Sequence, residues 1–139
     1  MKIFKILSLL AASAMLGACA TTEVSTEFAP GIKNGGKEPV AAVTAENYGY
    51  YLFGFLPIIT GNPDKQNETS ASMFEDTVTV ENNHAMLARE VEKLGAESMG
   101  NLRDSTYWTG GFSLWIVWKQ VLSSNALALK PAPEQSAAQ

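Results

Sequence analysis

VENNHAMLAREVEKLG, residues 80–95, is the stretch that sets the reading of the fold. Val80, Leu87, Val91 and Leu94 recur at helical spacing, with Ala88 at the edge of the stripe, while Arg89, Glu90, Glu92 and Lys93 lie away from it. That pattern predicts an amphipathic helix with one face on a core. Thr77 or Thr79 can cap its start, and Glu81 puts negative charge where the helix N-terminus favours it. Gly95 ends it, because glycine takes the left-handed conformation cheaply.

Working outward, YGYYLFGFLPIIT (48–60) is rich in Tyr, Phe and Ile and reads as a strand, interrupted or at a sheet edge because of Gly54 and Pro57. GNPDKQNETSAS (61–72) reads as a loop with turn chemistry at Asn62-Pro63-Asp64. Downstream, 96–104 reads as a short strand, and 105–113 as a segment turning at Gly110-Gly111. Residues 112–116 read as a loop or short helix. In 117–129 Lys119, Val121, Ser123, Asn125, Leu127 and Leu129 alternate with Gln120, Leu122, Ser124, Ala126 and Ala128, the signature of a closing strand. The expected architecture is α+β: a small three- to four-stranded sheet under one main amphipathic helix, in the order β-α-β-β.

The ends of the chain read differently. Lys2 and Lys5 precede an uncharged apolar run, residues 6–16, too short to span a bilayer, which needs roughly 20 apolar residues. Small residues Gly17 and Ala18 follow, then Cys19, the only cysteine of the chain. Leu16, Gly17, Ala18 and Cys19 resemble the lipobox of bacterial lipoproteins. The resemblance implies cleavage after Ala18, a diacylglyceryl group (and in most such proteins a further acyl chain, commonly palmitate) on Cys19, and a mature protein held to a membrane. The alternative is an ordinary secretory signal with an incidental cysteine, whose free thiol would be a liability in an oxidising compartment. In Gram-negative lipoproteins an aspartate after the cysteine retains the protein at the inner membrane. Ala20 resembles the sorted class, which in a Gram-negative source implies the outer membrane, facing the periplasm.

Residues 19–47 are then expected to form the lipidated cysteine and a flexible tether, rich in turn formers, with an end-to-end distance of about 30 Å. The domain is expected over 48–130, and 131–139 (PAPEQSAAQ) as a disordered tail. The chain carries 10 basic and 14 acidic side chains. Removal of Lys2 and Lys5 with the leader takes the net charge from −4 to −6, which argues against nucleic acid as a partner.

LAREVEKLGAESMGNLR (87–103) resembles the helix, Leu-Gly-Ala turn and strand of small bacterial envelope domains, among them the YbjQ-like "heavy-metal-binding" group and the Rcs-type sensor lipoprotein. The chain as a whole, through YGYYLFGFLPIITGNP, resembles short envelope lipoproteins without assigned activity. The resemblance implies a fold; the sensor's disulfides have no counterpart here.

Catalytic and metal templates find little to hold. His84 is the sole histidine and falls on the apolar stripe, which predicts a packed, hydrogen-bonded ring. A zinc site wants about four Cys, His or carboxylate ligands, or three plus water, so neither metal nor cofactor is expected. No G-x-S-x-G occurs, and Glu75-Asp76 and Glu90/Glu92 read as solvated carboxylates. The aromatics carry the remaining signal. Tyr50 and Tyr51 on the first strand, with Tyr107, Trp108 and Trp115 near the last, are expected to form a contact or ligand patch. The expected protein is a non-catalytic, lipid-anchored accessory or sensor-like subunit with an envelope protein partner. The alternative is a binder of a small ligand in an aromatic pocket near Trp108 and Trp115.

Overall fold

The computed structural model describes residues 19–27, 36–112 and 116–132. The leader 1–18, the segment 28–35, Trp115 and the tail from 133 lie outside them. The described chain is mostly β. Six strands, β1 (Ala20–Ser25), β2 (Lys37–Leu52), β3 (Leu56–Gly61), β4 (Ala71–Met73), β5 (Ser98–Phe112) and β6 (Val117–Pro131), form one antiparallel sheet. One α-helix among the described residues, α1 (Val80–Lys93), covers one face. The order is β4-β3-β2-β6-β5, with β1 also paired to β2. This corrects the expected α+β domain with a three- to four-stranded sheet.

Three features account for the difference. Residues 20–25 and 37–47, expected in a tether, are β1 and most of β2. β2 is alanine-rich, so its β propensity is low, yet Ala41, Val43 and Ala45 are fully buried. Facing them, Ala126, Ala128 and Ser124 of β6 are also small and buried, which lets α1 approach closely. Met86 and Leu87 of α1 fill the space between, each contributing about 1.5–3 kcal/mol by burial. The Gly110-Gly111 pair does not turn the chain: β5 runs through it to Phe112. The expected loop 61–72 ends in β4, after a 3₁₀ turn at Pro63–Lys65 capped by Asn62.

The helix starts where Thr79 accepts from Asn82 N–H. It ends on Gly95 at φ 64°, with Gly95 N–H bonded to Glu92 O and Ala96 N–H to Val91 O. This is the Schellman arrangement that satisfies the last carbonyls. Its buried residues are Asn83, Met86, Leu87 and Val91; Val80, expected on the buried stripe, is exposed.

β1 and β3 lie end to end along the same edge of β2. β1 pairs with 42–47 and β3 with 49–52. Cys19 therefore stands at the junction, its carbonyl accepting from Tyr48 N–H. Loop residue Asn67, at φ 64°, closes the outer edge of β1. Its N–H donates to Ala20 O, and its side chain exchanges hydrogen bonds with Thr22 N–H and hydroxyl.

Candidate functional site

The expected aromatic patch is divided by the sheet. In β2 and β5 successive side chains point to opposite faces. Tyr51 and Trp108 lie on the α1 side, their rings edge-to-face at 5.5 Å. Tyr50 and Tyr107 lie on the other face, where Tyr48 and Tyr107 flank Val121. Val121 is only 1% exposed, although no helix covers that face among the described residues. Lys119 sits over the Tyr48 ring at 3.9 Å. Tyr51 is core: it is 1% exposed, packs with Val78 and Leu122, and donates to Asp76 Oδ1 at 2.7 Å. Burial, then the Asp76 hydrogen bond and charge, push its phenol far above the ordinary tyrosine value. Trp108 remains half-exposed. A depression on the open face, lined by Thr44, Asn101, Arg103, Asn125 and Leu127 among others, has no aromatic side chain in its wall. That depression lies away from Trp108, and Trp115, the other residue of the expected aromatic pocket, lies outside the described residues.

His84 is not packed into the core. Its Nε2 lies 2.9 Å from Asp104 Oδ1, and both side chains are about one-third exposed. The buried helix position next to it is Asn83, whose Nδ2 donates to Ala45 O, Leu122 O and Ser124 Oγ. Ser124 in turn donates to Asp104. Serine, aspartate and histidine thus meet, but the carboxylate stands in the middle and the hydroxyl is fully buried. A nucleophilic triad needs the imidazole between serine and carboxylate, so this cluster cannot activate Ser124. It fastens α1 to β5 and β6.

The Ser124 hydrogen bond, then the His84 hydrogen bond and charge, hold the Asp104 carboxyl below its usual range against the opposing effect of burial. Stability from a depressed carboxyl is fully present above its unfolded value of about 3.9 and is lost as pH falls through the folded value. Asp104→Asn should therefore flatten the acid limb of the stability profile below about pH 4. Denaturant titrations at stepped pH check this; an unchanged acid limb contradicts it.

The most exposed large apolar side chains gather elsewhere, at the end of the sheet carrying the β2–β3 turn. Phe53 is 60% exposed, Phe55 74% and Phe74 73%, with Leu56, Met73 and Ile116 also exposed. Phe53 and Phe55 stack at 6.4 Å. Phe53 N–H donates to Ile116 O, and Phe74 N–H to Ile58 O, tying the three segments together. The sequence places Phe53, Phe55 and Leu56 in a strand and Ile116 in a loop or short helix, and does not mark them, or Met73 and Phe74, as a surface. The available signal was the absence of any charged residue in 48–61 and in 105–118.

Phe53 and Phe74 also hold positive φ, 54° and 57°. The turn at 52–55 has positive φ at both central residues, Phe53 and Gly54, a pattern that favours Asn or Gly at its first position. The left-handed region costs an ordinary residue about 1–2 kcal/mol. Neither ring repays that by burial. Phe53→Asn is expected to raise unfolding stability by about 1 kcal/mol; a lower denaturation midpoint would show that the ring supports the fold.

Cys19 is half-buried, and its Sγ reaches only the Glu68 carbonyl, at 3.8 Å. Ala20, the next residue, is already fully buried in β1. Among the described residues no group of three His, Cys, Asp or Glu is placed to hold a metal ion, and no helix is long and apolar enough to cross a membrane. Set against known proteins, the chain matches no family model, no curated protein and no solved structure.

Proposed function

We propose that this chain is a bacterial lipoprotein, fixed through lipid on Cys19 to the periplasmic face of the outer membrane, that works without catalysis as an accessory or sensor-like interaction subunit. The observation that carries the reading is the run from Lys2 to Cys19: charged start, apolar core, small residues, then the chain's single cysteine. One acyl chain binds a membrane only marginally, whereas two or more hold it stably. The outer-membrane assignment rests on Ala20, and the non-catalytic reading on a sequence with one histidine and no G-x-S-x-G.

Cys19→Ser tests the anchor. In cells fed a labelled fatty acid, the wild-type chain should take up label and sediment with membranes. The variant should take up none and accumulate as an unprocessed precursor. Equal labelling of the two would refute the reading.

A further inference from the structure

We propose that the apolar corner formed by Phe53, Phe55, Leu56, Met73, Phe74 and Ile116 inserts into the phospholipid bilayer that holds Cys19; the inference rests on the lipid-anchor reading above. Two observations lead to it. The first is that exposed phenylalanines occupy backbone positions where glycine or asparagine would fold at lower cost. Such residues serve neither the turn nor the core, which leaves an external contact as their use.

The second is the position of the anchor within the sheet. Cys19 lies level with Tyr48 of β2. The corner begins at Leu52, four residues on, or about 14 Å along the strand; the opposite end of β2, at Lys37, is eleven residues back, or about 37 Å. β1 starts directly at Ala20, so no flexible spacer separates lipid from domain. A domain fixed at that point rests on the membrane, and the nearer end of the sheet is the aromatic one; its carboxylates, Glu75 and Asp76, follow Phe74 and lie exposed, Asp76 accepting from the Tyr51 hydroxyl. The far end carries Lys37, Glu38, Lys93, Glu97 and Lys130. Apolar and aromatic side chains bind at the headgroup boundary to a depth of about 5–10 Å, within reach of a corner about 14 Å from the anchor. Of the charges beside Cys19, Asp64 pairs with Arg89 while Lys65 and Glu68 lie exposed on the loop, where headgroup water can solvate them. The acidic balance of the chain makes the attraction apolar rather than electrostatic.

The test uses the full lipidated chain in vesicles of phosphatidylethanolamine and phosphatidylglycerol. The Cys19 sulfur is consumed in its thioether, so one nitroxide can be placed at a time through Phe55→Cys, Phe74→Cys or Lys37→Cys. Collision rates with oxygen and with a water-soluble nickel chelate then report depth. The labels at 55 and 74 should shift toward oxygen and the label at 37 toward nickel. A label at 55 as open to nickel as that at 37 would overturn the proposal. So would spin–spin broadening between labels at 55 that persists on dilution in lipid, which would mark the corner as an interface between two copies. Phe53→Asn combined with Phe74→Asn should keep or raise the melting temperature while abolishing the oxygen shift of a label at Leu56→Cys; a retained shift counts against the proposal. If fatty-acid labelling shows Cys19 unmodified, the anchor reading fails by itself. The full chain carrying Cys19→Ser is then added to preformed vesicles. There, an oxygen shift at 55 still supports the corner, and its absence overturns it.

Discussion

Replacing Tyr51 by alanine is expected to remove about 3–5 kcal/mol of folding stability, the range for truncating a large buried aromatic. The ring is 1% exposed and joins Val78 of the pre-helix segment to Leu122 of β6. Its edge meets Trp108, so the loss reaches β5 as well. Tyr51→Phe keeps the ring and forfeits only the hydrogen bond to the charged Asp76 carboxylate, worth about 1.5–3 kcal/mol. The phenol separates the two variants by pH. Its raised folded value gives stability present below the unfolded value near 10 and lost as pH rises above it. Tyr51→Phe should remove that alkaline loss. Denaturant midpoints for both variants check the pair. A Tyr51→Ala cost below about 1 kcal/mol would place the ring outside the core.

Gly61→Val should be the next most damaging change, about 1–3 kcal/mol or more, as expected for forced overpacking. Gly61 ends β3 where β1 begins. A Cβ there would meet the Cys19 carbonyl carbon at 2.5 Å and its oxygen at 2.6 Å, besides Asn47 Oδ1. Asn47 is fully buried and donates to Thr77 O, so it cannot yield. The strain should fall on β1, and hydrogen exchange of the Tyr48 and Asn67 amides, which bond to Cys19 O and Ala20 O, should accelerate more than that of β6. Uniform acceleration across the sheet would contradict a local origin.

The helix was legible in the sequence because its signal is local. Leu87 and Val91 recur at helical spacing and Gly95 supplies the terminator, so no distant partner is needed. The alternation of β6 was legible for the same reason. β1 and β2 were not, since six polar and small residues (ATTEVS) become a strand only through pairing with 42–47, across a separation in the chain that composition does not reveal. Alanine at 41, 45, 126 and 128 weakens the strand signal for the reason that makes it fit, the close passage of α1. In the sequence Gly110 reads as part of a turn. Its missing side chain instead lets the Trp118 ring lie across β5.

The site was only partly legible. Tyr50-Tyr51 and Tyr107-Trp108 are adjacent pairs, and strand geometry sends adjacent residues to opposite faces, so the single patch was inconsistent with the strands proposed for it. The helical spacing centres the stripe one position away from the buried face: Asn83 takes the buried place and His84 reaches the edge strand. Phe53 and Phe74 could not be found from composition, because what marks them is a backbone conformation.

The lipid anchor and the membrane-facing corner both depend on which residue begins the mature chain, and the mass of its N-terminal peptide decides it. Protein extracted from membranes should yield a peptide beginning at Cys19 and bearing a diacylglyceryl group on sulfur, with Ala20 and β1 following at once. An N-terminus elsewhere, or Cys19 recovered as a free thiol, would contradict the anchor.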